Sequence, residues 1–298
     1  MLEETINFLK IDPEGIYVDA TLGGGGLSEQ ILHNLNEKGK LISIDIDKEA
    51  IEYCQEKFKY EDRIKIYNSN FIFIDEILKE EKIEKVNGIC MDLGVSSYQI
   101  DNPERGFSYI HNGKLDMRMG QSGTSAYDIV NFYEESRLSE VILKYGEEKF
   151  HKNIAKMICR QRKIKKIEST KELVEIIEKV VPRFNLGHSA KRTFQAIRIE
   201  VNDELKNLEI TLDKCIKLLK TGGRILVLSF HSLEDKIVKQ KMKFWEKECV
   251  CPKSFPVCVC SKIQQAKIIN KKIIVSSDEE IKKNSRSKSA KLRICEKI

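Results

Sequence analysis

The chain has 298 residues, of which 41% are hydrophobic and 33% charged, a composition typical of soluble globular proteins with one large or two modest domains. No apolar run approaches the roughly 18 residues that span a bilayer, and the first residues lack the basic and then apolar layout of a signal peptide. We therefore expect a cytoplasmic protein without a membrane segment. In that reducing compartment the nine cysteines are expected to be thiols or metal ligands.

The charge is unevenly distributed along the chain. The net charge is +6, but residues 236–298 hold 17 Lys and Arg against 6 Asp and Glu, so the preceding part of the chain is net negative. This asymmetry favours a polyanionic partner. The alternative explanation is a general richness in lysine and isoleucine across the proteome.

The first hundred residues alternate between predicted strands and predicted helices. Between the strands, residues 27–35 and 48–58 carry apolar side chains at helical spacing. This alternation is typical of a parallel, doubly wound sheet. The strands are expected at residues 15–20, 40–47, 63–71 and 86–94.

The alternation stops after the fourth strand. Residues 101–204 are polar and helical in pattern, and a long amphipathic helix then precedes Gly222 and Gly223, where a helix stop is expected. The simplest architecture is a sheet domain with a helical domain inserted after the fourth strand. The expected sheet domain comprises residues 1–104 and 205–298, the inserted domain residues 105–204, and further strands residues 222–230, 271–277 and 290–297.

Four consecutive glycines follow the first predicted strand, in the segment "YVDATLGGGGL". Glycine allows a tight turn and a close approach of backbone N–H groups to a ligand, and this turn lies at the sheet edge where such folds bind ligands. Asp45 ends the second strand, 22 residues after Gly23, where an acid can accept both hydroxyls of an adenosine ribose. The spacing fits a dinucleotide or a nucleoside cofactor; a plain tight turn with a surface Asp is the alternative.

Two further acids help to choose between these cofactors. A pyrophosphate favours an open helix N-terminus, whereas a sulfonium cofactor with a zwitterionic amino acid favours nearby carboxylates. Asp19 ends the first strand and Asp92 ends the fourth, which favours S-adenosylmethionine over NAD. Phe71 follows the third strand, where it could lie against an adenine ring or be an ordinary core aromatic.

Polar side chains also follow the fourth and fifth strands. Asp92, Ser96 and Gln99 come after one buried strand, and His231 comes after the other, in "LSFHSLED". Polar groups crowded beyond apolar strands at this edge are what a reaction site needs. Helix capping is the alternative for the second segment, with Ser232 as the cap and Asp235 three residues later.

Nine segments together give the chain a family resemblance. The chain resembles the bacterial 16S ribosomal RNA cytosine N(4)-methyltransferase family over nearly its whole length. The resemblance implies a class I methyltransferase (Rossmann-like) α/β fold, a seven-stranded sheet with an inserted helical domain. It implies transfer of a methyl group from S-adenosylmethionine to the exocyclic amine of one cytidine in the decoding region of 16S rRNA. The segments are, in order, "DATLGGGG", "IDID", "MDLGVSS", "ERGFSY", "LDMRM", "YGEE", "RTFQAIRIEVNDEL", "GGRILVLSFHSLED" and "SRSKSAKLRI".

The resemblance also implies the residues that contact the cofactor. Family members usually have His where this chain has Leu27, so a contact from that position is expected through the backbone. They also carry several residues before the segment that begins here at Met1, which implies a misplaced start codon or the lack of an N-terminal strap over the cofactor. The implied cofactor residues are Gly25, Gly26, Leu27, Asp45, Phe71, Asp92 and Gln99.

The reaction suggests roles for three residues. A cytosine amino group is a poor nucleophile, and a hydrogen-bond acceptor beside it raises its electron density and can take its proton. We predict Asp92 as a cofactor ligand or amine acceptor, with Ser96 beside it, and His231 as a proton relay or RNA contact. The base must be flipped out or single-stranded to enter such a site.

Two segments are candidates for contact with RNA. Arg192, Arg198 and Asn202 lie near helical spacing and are predicted to contact phosphates or the other domain; a salt-bridged helix face is the alternative. Residues 151–166 carry seven Lys and Arg and no acid, which fits a grip on the RNA backbone or a solvated lysine face.

Four of the nine cysteines lie close together in residues 249–260. "CVCPKSFPVCVC" holds two C-x-C pairs, and its four thiolates, Cys249, Cys251, Cys258 and Cys260, could bind zinc tetrahedrally. The spacing is tighter than that of ordinary zinc sites, so a hairpin without metal is the expectation and a zinc site is the alternative. The expected partner is 16S rRNA in the small ribosomal subunit, with a dimer as the candidate oligomeric state. The alternatives are a methyltransferase of DNA or transfer RNA amines, an NAD-linked oxidoreductase, and an RNA-binding assembly factor with a vestigial cofactor site.

Overall fold

The structure is a computed structural model that describes residues 1–182, 188–252, 255 and 257–298. The chain divides into two compact units. The sheet unit comprises Met1–Gly94 and Leu205–Ile298, and the helical unit comprises Val95–Glu204. Residues 183–187 of the expected inserted domain lie outside the described ranges.

One mixed sheet forms the centre of the sheet unit. Its continuous path runs β3-β2-β1-β4-β5-β8-β6, and β7 pairs with β8 beside this path. The pairs from β3 to β5 are parallel, whereas β8 is antiparallel to β5, β6 and β7. The strands are β1 (Ile16–Asp19), β2 (Lys40–Asp45), β3 (Ile64–Asn68), β4 (Val86–Asp92), β5 (Leu219–Ser229), β6 (Ala266–Ile268), β7 (Ile274–Val275) and β8 (Lys291–Lys297).

Helices connect the strands and build the helical unit. Within the described ranges, none of them combines the length and apolarity required to traverse a bilayer. They are α1 (Leu2–Leu9), α2 (Gly26–Asn34), α3 (Lys48–Lys57), α4 (Ile74–Glu80), α5 (Ser97–Asp101), α6 (Ala126–Phe132), α7 (Glu135–Gly146), α8 (His151–Ile164), α9 (Thr170–Glu178), α10 (Lys191–Asn202), α11 (Glu204–Leu218), α12 (Ser232–Glu246) and α13 (Asp278–Lys283).

The sheet is buried on both faces because neighbouring residues of a strand point to opposite sides. Tyr17 and Leu41 pack with α1 and α2 on one face. Val18 and Ile42 pack with α4, α11 and α12 on the other, where Trp245 is 1% exposed. The near-continuous apolar runs of β1, β2 and β4 therefore come from their central place between two helical layers.

The strand count and one turn differ from the sequence prediction. Eight strands are present in the described part of the chain instead of seven; the additional one is the three-residue β6, since β7 falls within the strand predicted at residues 271–277. Gly222 and Gly223 do not stop the helix, since α11 already ends at Leu218. They lie within β5, where Gly222 has φ +80° and the pairing with β4 shifts between Val86 and Gly88. Glycine here permits an irregularity in the strand.

The helical unit has an apolar core of its own, built from α6 to α10 and the segment before α6. Its first boundary lies before Val95, and not after residue 104 as expected. Arg105, inside both the expected and the observed boundary, ties this segment together through donation from its guanidinium to the carbonyls of Arg118 (3.1 Å) and Met119 (2.9 Å). Val95 also packs against the core of this unit.

Candidate active site

The last residues of four strands place polar groups at one edge of the sheet. β1, β2, β4 and β5 run parallel, so their carboxyl ends meet at the same edge. Asp19, Asp45, Asp92 and Ser229 are the final residues of these strands. This edge therefore holds three carboxylates that the sequence spreads over residues 19 to 92.

The glycine loop between β1 and α2 lies at this edge. Gly23 and Gly25 have φ of +49° and +73°, which side chains rarely tolerate. A Cβ at Gly25 would also lie 2.8 Å from the Phe58 ring. Around Gly24 and Gly26, by contrast, no atom of a described residue outside the adjoining chain lies within 4 Å of an added Cβ. Gly23 and Gly25 are therefore required for the backbone conformation of the loop, whereas Gly24 and Gly26 leave open space beside it.

Asp19 is buried beneath the loop and holds it in place. Its carboxylate accepts hydrogen bonds from the Ser28 hydroxyl (2.7 Å) and the Thr21 N–H (3.2 Å). Burial raises the pKa of Asp19 to about 6, and the nearby Asp45 carboxylate adds to the increase. Both oxygens have partners within the protein, so Asp19 shapes the loop from below.

Asp45 joins the loop to the end of β2. One carboxylate oxygen accepts the Gly23 N–H at 2.7 Å and the other accepts the Asp47 N–H at 2.8 Å. Burial raises the pKa of Asp45, while these backbone hydrogen bonds act in the opposite direction. The side chain is half-buried, so its remaining lone pairs can reach a ligand.

Two predicted cofactor residues, Leu27 and Phe71, lie at the edges of the core. Leu27 is half-buried and packs against the cluster that lies on the α1 and α2 face of the sheet. Phe71 begins a short 3-10 helix after β3, and it is also half-buried against the opposite cluster. Each side chain therefore has a packing role, and the role of each in cofactor binding stays a prediction.

Asp92 differs from the other two carboxylates because no described residue donates a hydrogen bond to it. Its backbone N–H donates to the Thr21 hydroxyl at 2.6 Å. Its carboxylate is exposed and accepts no hydrogen bond from any described residue. Surrounding protein raises its pKa to about 7, and the Asp19 and Glu234 carboxylates act in the same direction. Water at the exposed oxygens screens part of this shift.

Of two further residues at this edge, Thr21 was not singled out from the sequence, and Glu234 was noted only among the polar groups that follow the fifth predicted strand. Thr21 links the glycine loop to the end of β4 through the hydrogen bond to Asp92. Glu234 is 2% exposed and accepts the N–H groups of Phe230 (2.8 Å) and His231 (3.2 Å). The sequence signal was present for Glu234, since it stands three residues after a residue that can cap a helix.

His231 is the N-cap of α12, so the predicted cap at Ser232 is wrong by one residue. The Glu234 N–H donates to His231 Nδ1 at 3.4 Å, and Glu234 completes the capping box. Asp235, the expected partner of Ser232, instead pairs with Arg293 on β8 at 2.7 Å. A ring nitrogen of histidine here accepts the hydrogen bond from the first turn of the helix that a serine hydroxyl usually accepts.

The unused nitrogen of His231 remains without a hydrogen bond. His231 Nε2 lies 3.0 Å from Glu234 Oε1 without the alignment of a hydrogen bond, and among the described residues it has no other partner. Ser229 Oγ, at the end of β5, is buried and equally unpartnered. Buried polar atoms usually find partners within the protein, so these two mark the edge as a place for an external group.

Ser96 and Gln99 belong to the helical unit and cap α5. The Gln99 N–H donates to Ser96 Oγ at 3.2 Å, and the Ser96 N–H donates to Gln99 Oε1 at 2.9 Å. Together they form a capping box that the sequence analysis did not anticipate. The catalytic role of Ser96 and the cofactor role of Gln99 therefore stay predictions beside this structural one.

The three polar residues predicted on α10 divide into two groups. Arg198 forms a two-pronged ion pair with Glu204, at 2.8 and 3.0 Å. Asn202 donates to the Met117 carbonyl and accepts the Met119 N–H, each at 2.8 Å. Both are internal ties of the helical unit, as in the alternative of a salt-bridged face. Arg192 is exposed.

Helix α8 presents an exposed basic face. Four of its basic residues are exposed. They follow one another at spacings of four, four and three, and so share one side of the helix. None of them forms an ion pair with any described residue. We call this set the α8 basic face: Lys152, Lys156, Arg160 and Lys163.

Comparison with known proteins extends over the full chain. Residues 1–298 match the model of the MraW methylase family. Three relatives carry the name ribosomal RNA small subunit methyltransferase H. That of Caldicellulosiruptor saccharolyticus is 54% identical over 300 residues, covering 100% of this chain and 98% of the relative. That of Clostridium botulinum (strain Kyoto) is 55% identical over 302 residues, covering 100% and 97%. That of Fusobacterium nucleatum is 50% identical over 297 residues, covering 99% and 95%.

These matches agree with the architecture. The doubly wound order of the sheet and its glycine loop at the carboxyl edge are the features predicted for a class I methyltransferase fold. The family resemblance drawn from the sequence is confirmed. Because its whole length matches the family and relatives share half or more of its residues, the chain belongs to the MraW methylase family of class I methyltransferases.

Proposed function

We propose that the chain transfers the methyl group of S-adenosylmethionine to the N(4) amino group of one cytidine in the decoding region of 16S ribosomal RNA, in the cytoplasm. The names of its relatives support an RNA of the small subunit as the substrate. The observation that carries the chemistry is the unpartnered, exposed Asp92 carboxylate beside the glycine loop.

The residues at the sheet edge fit this cofactor better than a dinucleotide. Asp19, Asp45 and Asp92 make the edge acidic, which favours a ligand with a sulfonium and an ammonium group over a pyrophosphate. Asp45 is suited to accept the ribose hydroxyls, and the open side of Gly26 allows a close backbone approach. When bound, S-adenosylmethionine supplies an electrophilic methyl group on a positively charged sulfur that leaves as a thioether.

Asp92 is proposed to act on the cytosine amine. A hydrogen bond from the amine to the carboxylate would increase electron density on a nitrogen whose lone pair is delocalised into the ring. Methylation leaves that nitrogen with a surplus proton, which the carboxylate can accept and pass to water. The raised pKa of Asp92 improves it as a base near neutral pH.

His231 is proposed as a proton relay or an RNA contact through Nε2, which has no hydrogen-bond partner among the described residues. Its ring and Glu234 begin α12 directly after β5, and the Glu234 carboxylate is one of the charges that raise the pKa of Asp92. Ser96, which caps α5, is proposed to assist at the substrate amine through its hydroxyl hydrogen, since its oxygen already accepts the Gln99 N–H.

The helical unit is proposed to recognise the RNA. The α8 basic face carries four cations with no internal ion pairs, and such a row can contact successive phosphates. Phosphate contacts of this kind position an RNA without reading its sequence. The target cytidine must in addition leave its stack to reach a carboxylate at the end of a strand.

The test compares nucleosides of small-subunit RNA from a wild-type strain and from a strain that lacks the gene. Mass spectrometry is expected to find N(4)-methylcytidine at one position in the first and none in the second. Purified protein with labelled S-adenosylmethionine should restore the mark on RNA from the deletion strain. Unchanged N(4)-methylcytidine in the deletion strain would refute the proposed target, and labelling of transfer RNA or DNA would reassign the substrate.

A further inference from the structure

The described residues of the connection between α12 and β6 contribute no side chain to a hydrophobic core. Residues 247–265 contain no helix or strand in their described part, and connections of this length without such elements are uncommon in compact domains. Residues 253, 254 and 256 lie outside the described ranges. Five apolar side chains of this loop are 44% to 78% exposed, so burial contributes little to its order: Val250, Phe255, Val257, Val259 and Ile263.

Four cysteine side chains nevertheless meet in this loop. The Sγ atoms of Cys249, Cys251, Cys258 and Cys260 all lie within 4.8 Å of one another. Cys249 and Cys258 are 3.3 Å apart, and Cys260 lies 3.7 Å from each of them. Sulfurs about 2.3 Å from a tetrahedral zinc ion are about 3.8 Å apart, whereas a disulfide requires about 2.05 Å. The observed spacing matches shared coordination and not a disulfide.

The two C-x-C pairs explain how the sulfurs converge. The Cys251 N–H donates to Cys249 Sγ at 3.3 Å, so the first pair lies in a tight turn that brings its two sulfurs to one side. This removes the objection drawn from the sequence, where the spacing of one residue looked too tight for a metal.

Backbone N–H groups also point at the sulfurs. The N–H of Val250 donates to Cys260 at 3.3 Å, that of Cys251 to Cys249 at 3.3 Å, and that of Val259 to Cys251 at 3.4 Å. Hydrogen bonds of this kind stabilise the charged form of a sulfur and orient metal ligands. Such donors suit thiolates better than neutral thiols.

We propose that Cys249, Cys251, Cys258 and Cys260 bind one Zn²⁺ ion as a tetrathiolate and that this ion orders the loop. Binding converts four thiols to thiolates and releases four protons to solvent, so no oxidant or reductant is required. A closed set of four sulfurs leaves no position for a substrate, which makes the site structural. Lys247 and Lys262 flank it in sequence and partly balance the negative charge of the complex.

The test measures metal in the full-length protein, purified under reducing conditions without chelator. Mass spectrometry of the elements is expected to find close to one zinc per chain, and cobalt(II) should substitute with the absorption of tetrahedral thiolate coordination. The Cys258→Ser variant should retain less than about a tenth of that zinc. The matched control Val257→Ser changes an exposed neighbour and should retain all of it.

A second measurement separates the site from the fold. Trypsin should cut the loop on the order of tenfold faster in Cys258→Ser than in wild type, while the rest of the chain stays resistant. The proposal is overturned by less than about a tenth of an equivalent after reconstitution with zinc and reductant. It is also overturned by iron with the absorption of an iron–sulfur cluster, or by disulfides in protein isolated with its thiols blocked.

Discussion

Named polar side chains of the helical unit and of the edge of the sheet unit differ in whether they have hydrogen-bond partners within the protein. In the helical unit, Asn202, Ser96 and Gln99 each donate to or accept from a named neighbour. At the edge of the sheet unit, the Asp92 carboxylate and the Ser229 hydroxyl have no partner among the described residues. The helical unit also holds two buried hydroxyls without a partner among the described residues, Ser189 Oγ and Thr193 Oγ1. The contrast therefore lies between the paired side chains of the helical ties and the Asp92 carboxylate, which remains available to a ligand.

The difference matters because unsatisfied polar groups cost stability. A buried polar atom without a partner costs about 1–3 kcal/mol, so a fold keeps one only where something else benefits. Local departures from good packing and pairing cluster at functional sites for this reason. The comparison predicts that changes at the sheet edge reduce activity and that changes at the helical ties reduce stability.

The sharpest test of this contrast is Asp92→Asn. Loss of the carboxylate should reduce the rate of methyl transfer about 10²–10⁴-fold, as expected for loss of a proton acceptor. The free energy of unfolding should not fall at neutral pH, because no hydrogen bond is lost and a carboxylate whose pKa is raised on folding destabilises the folded state there. Initial rates and thermal unfolding measure the two effects. Asp213→Asn, which alters an exposed ion pair with Lys241, is the control and should change neither.

The dependence of the rate on pH tests the same carboxylate without changing the fold. Its pKa is raised to about 7, so the active charged form is present above that pH and is lost as the pH falls through it. The rate of the wild type should therefore fall about tenfold per pH unit on the acid side. A wild-type rate that stays level between pH 5 and 8, values chosen to lie on both sides of about 7, would contradict the role of Asp92 as proton acceptor.

Two glycine substitutions separate loop building from ligand approach. Gly25→Ala should destabilise the protein by about 1–3 kcal/mol, since φ is +73° and the Phe58 ring is 2.8 Å away. Gly26→Ala begins α2 in open space, so stability should stay within about 0.5 kcal/mol. Its affinity for S-adenosylmethionine, measured by calorimetry, should nevertheless fall. Undiminished affinity would remove Gly26 from the proposed site.

Asn202→Ala should break a structural tie. The substitution leaves the Met117 carbonyl and the Met119 N–H without this partner, at a cost of about 1–3 kcal/mol in unfolding free energy. Binding of small-subunit RNA at a temperature where the variant is folded should not change. Weaker RNA binding with unchanged stability would instead support the RNA contact first predicted for this residue.

The smallest expected effect concerns the α8 basic face. Lys156→Gln should lower the dependence of RNA affinity on salt by about one unit of slope, as for the loss of one phosphate contact. Filter binding over a range of salt concentrations measures that slope. Lys59→Gln, in an exposed ion pair of the sheet unit, is the matched control. An equal effect of the two variants would show that α8 has no special contact with RNA.

Much of the fold and of the sheet edge could be predicted from the sequence. Apolar runs that end in Asp45 and Asp92 identify both the strands and the side chains at their carboxyl ends, because parallel strands share one edge. The class of fold then follows from the alternation of strands and helices. These features depend on local pattern and on one rule of topology.

The remaining features depend on partners that are distant in sequence. From the sequence alone, Asn202 is expected to be an exposed helix residue. Its hydrogen-bond partners Met117 and Met119 lie 85 and 83 residues away in the chain, so local pattern does not reveal them. Asp235 resembles the end of a capping box, but Arg293 on β8 takes its carboxylate. Convergence of the two C-x-C pairs likewise needs a reversal of the chain that spacing alone does not reveal.

The position of β8 in the sheet has a consequence for how the polypeptide matures during synthesis. This strand follows β5 and β6 in the chain, yet it lies between them. In a nascent chain that has emerged only as far as residue 290, one edge of β5 would therefore be unpaired and β6 would lack its partner strand. Long-range pairing of this kind is slow and exposes strands to aggregation, so chaperone demand should peak just before the last strand leaves the ribosome.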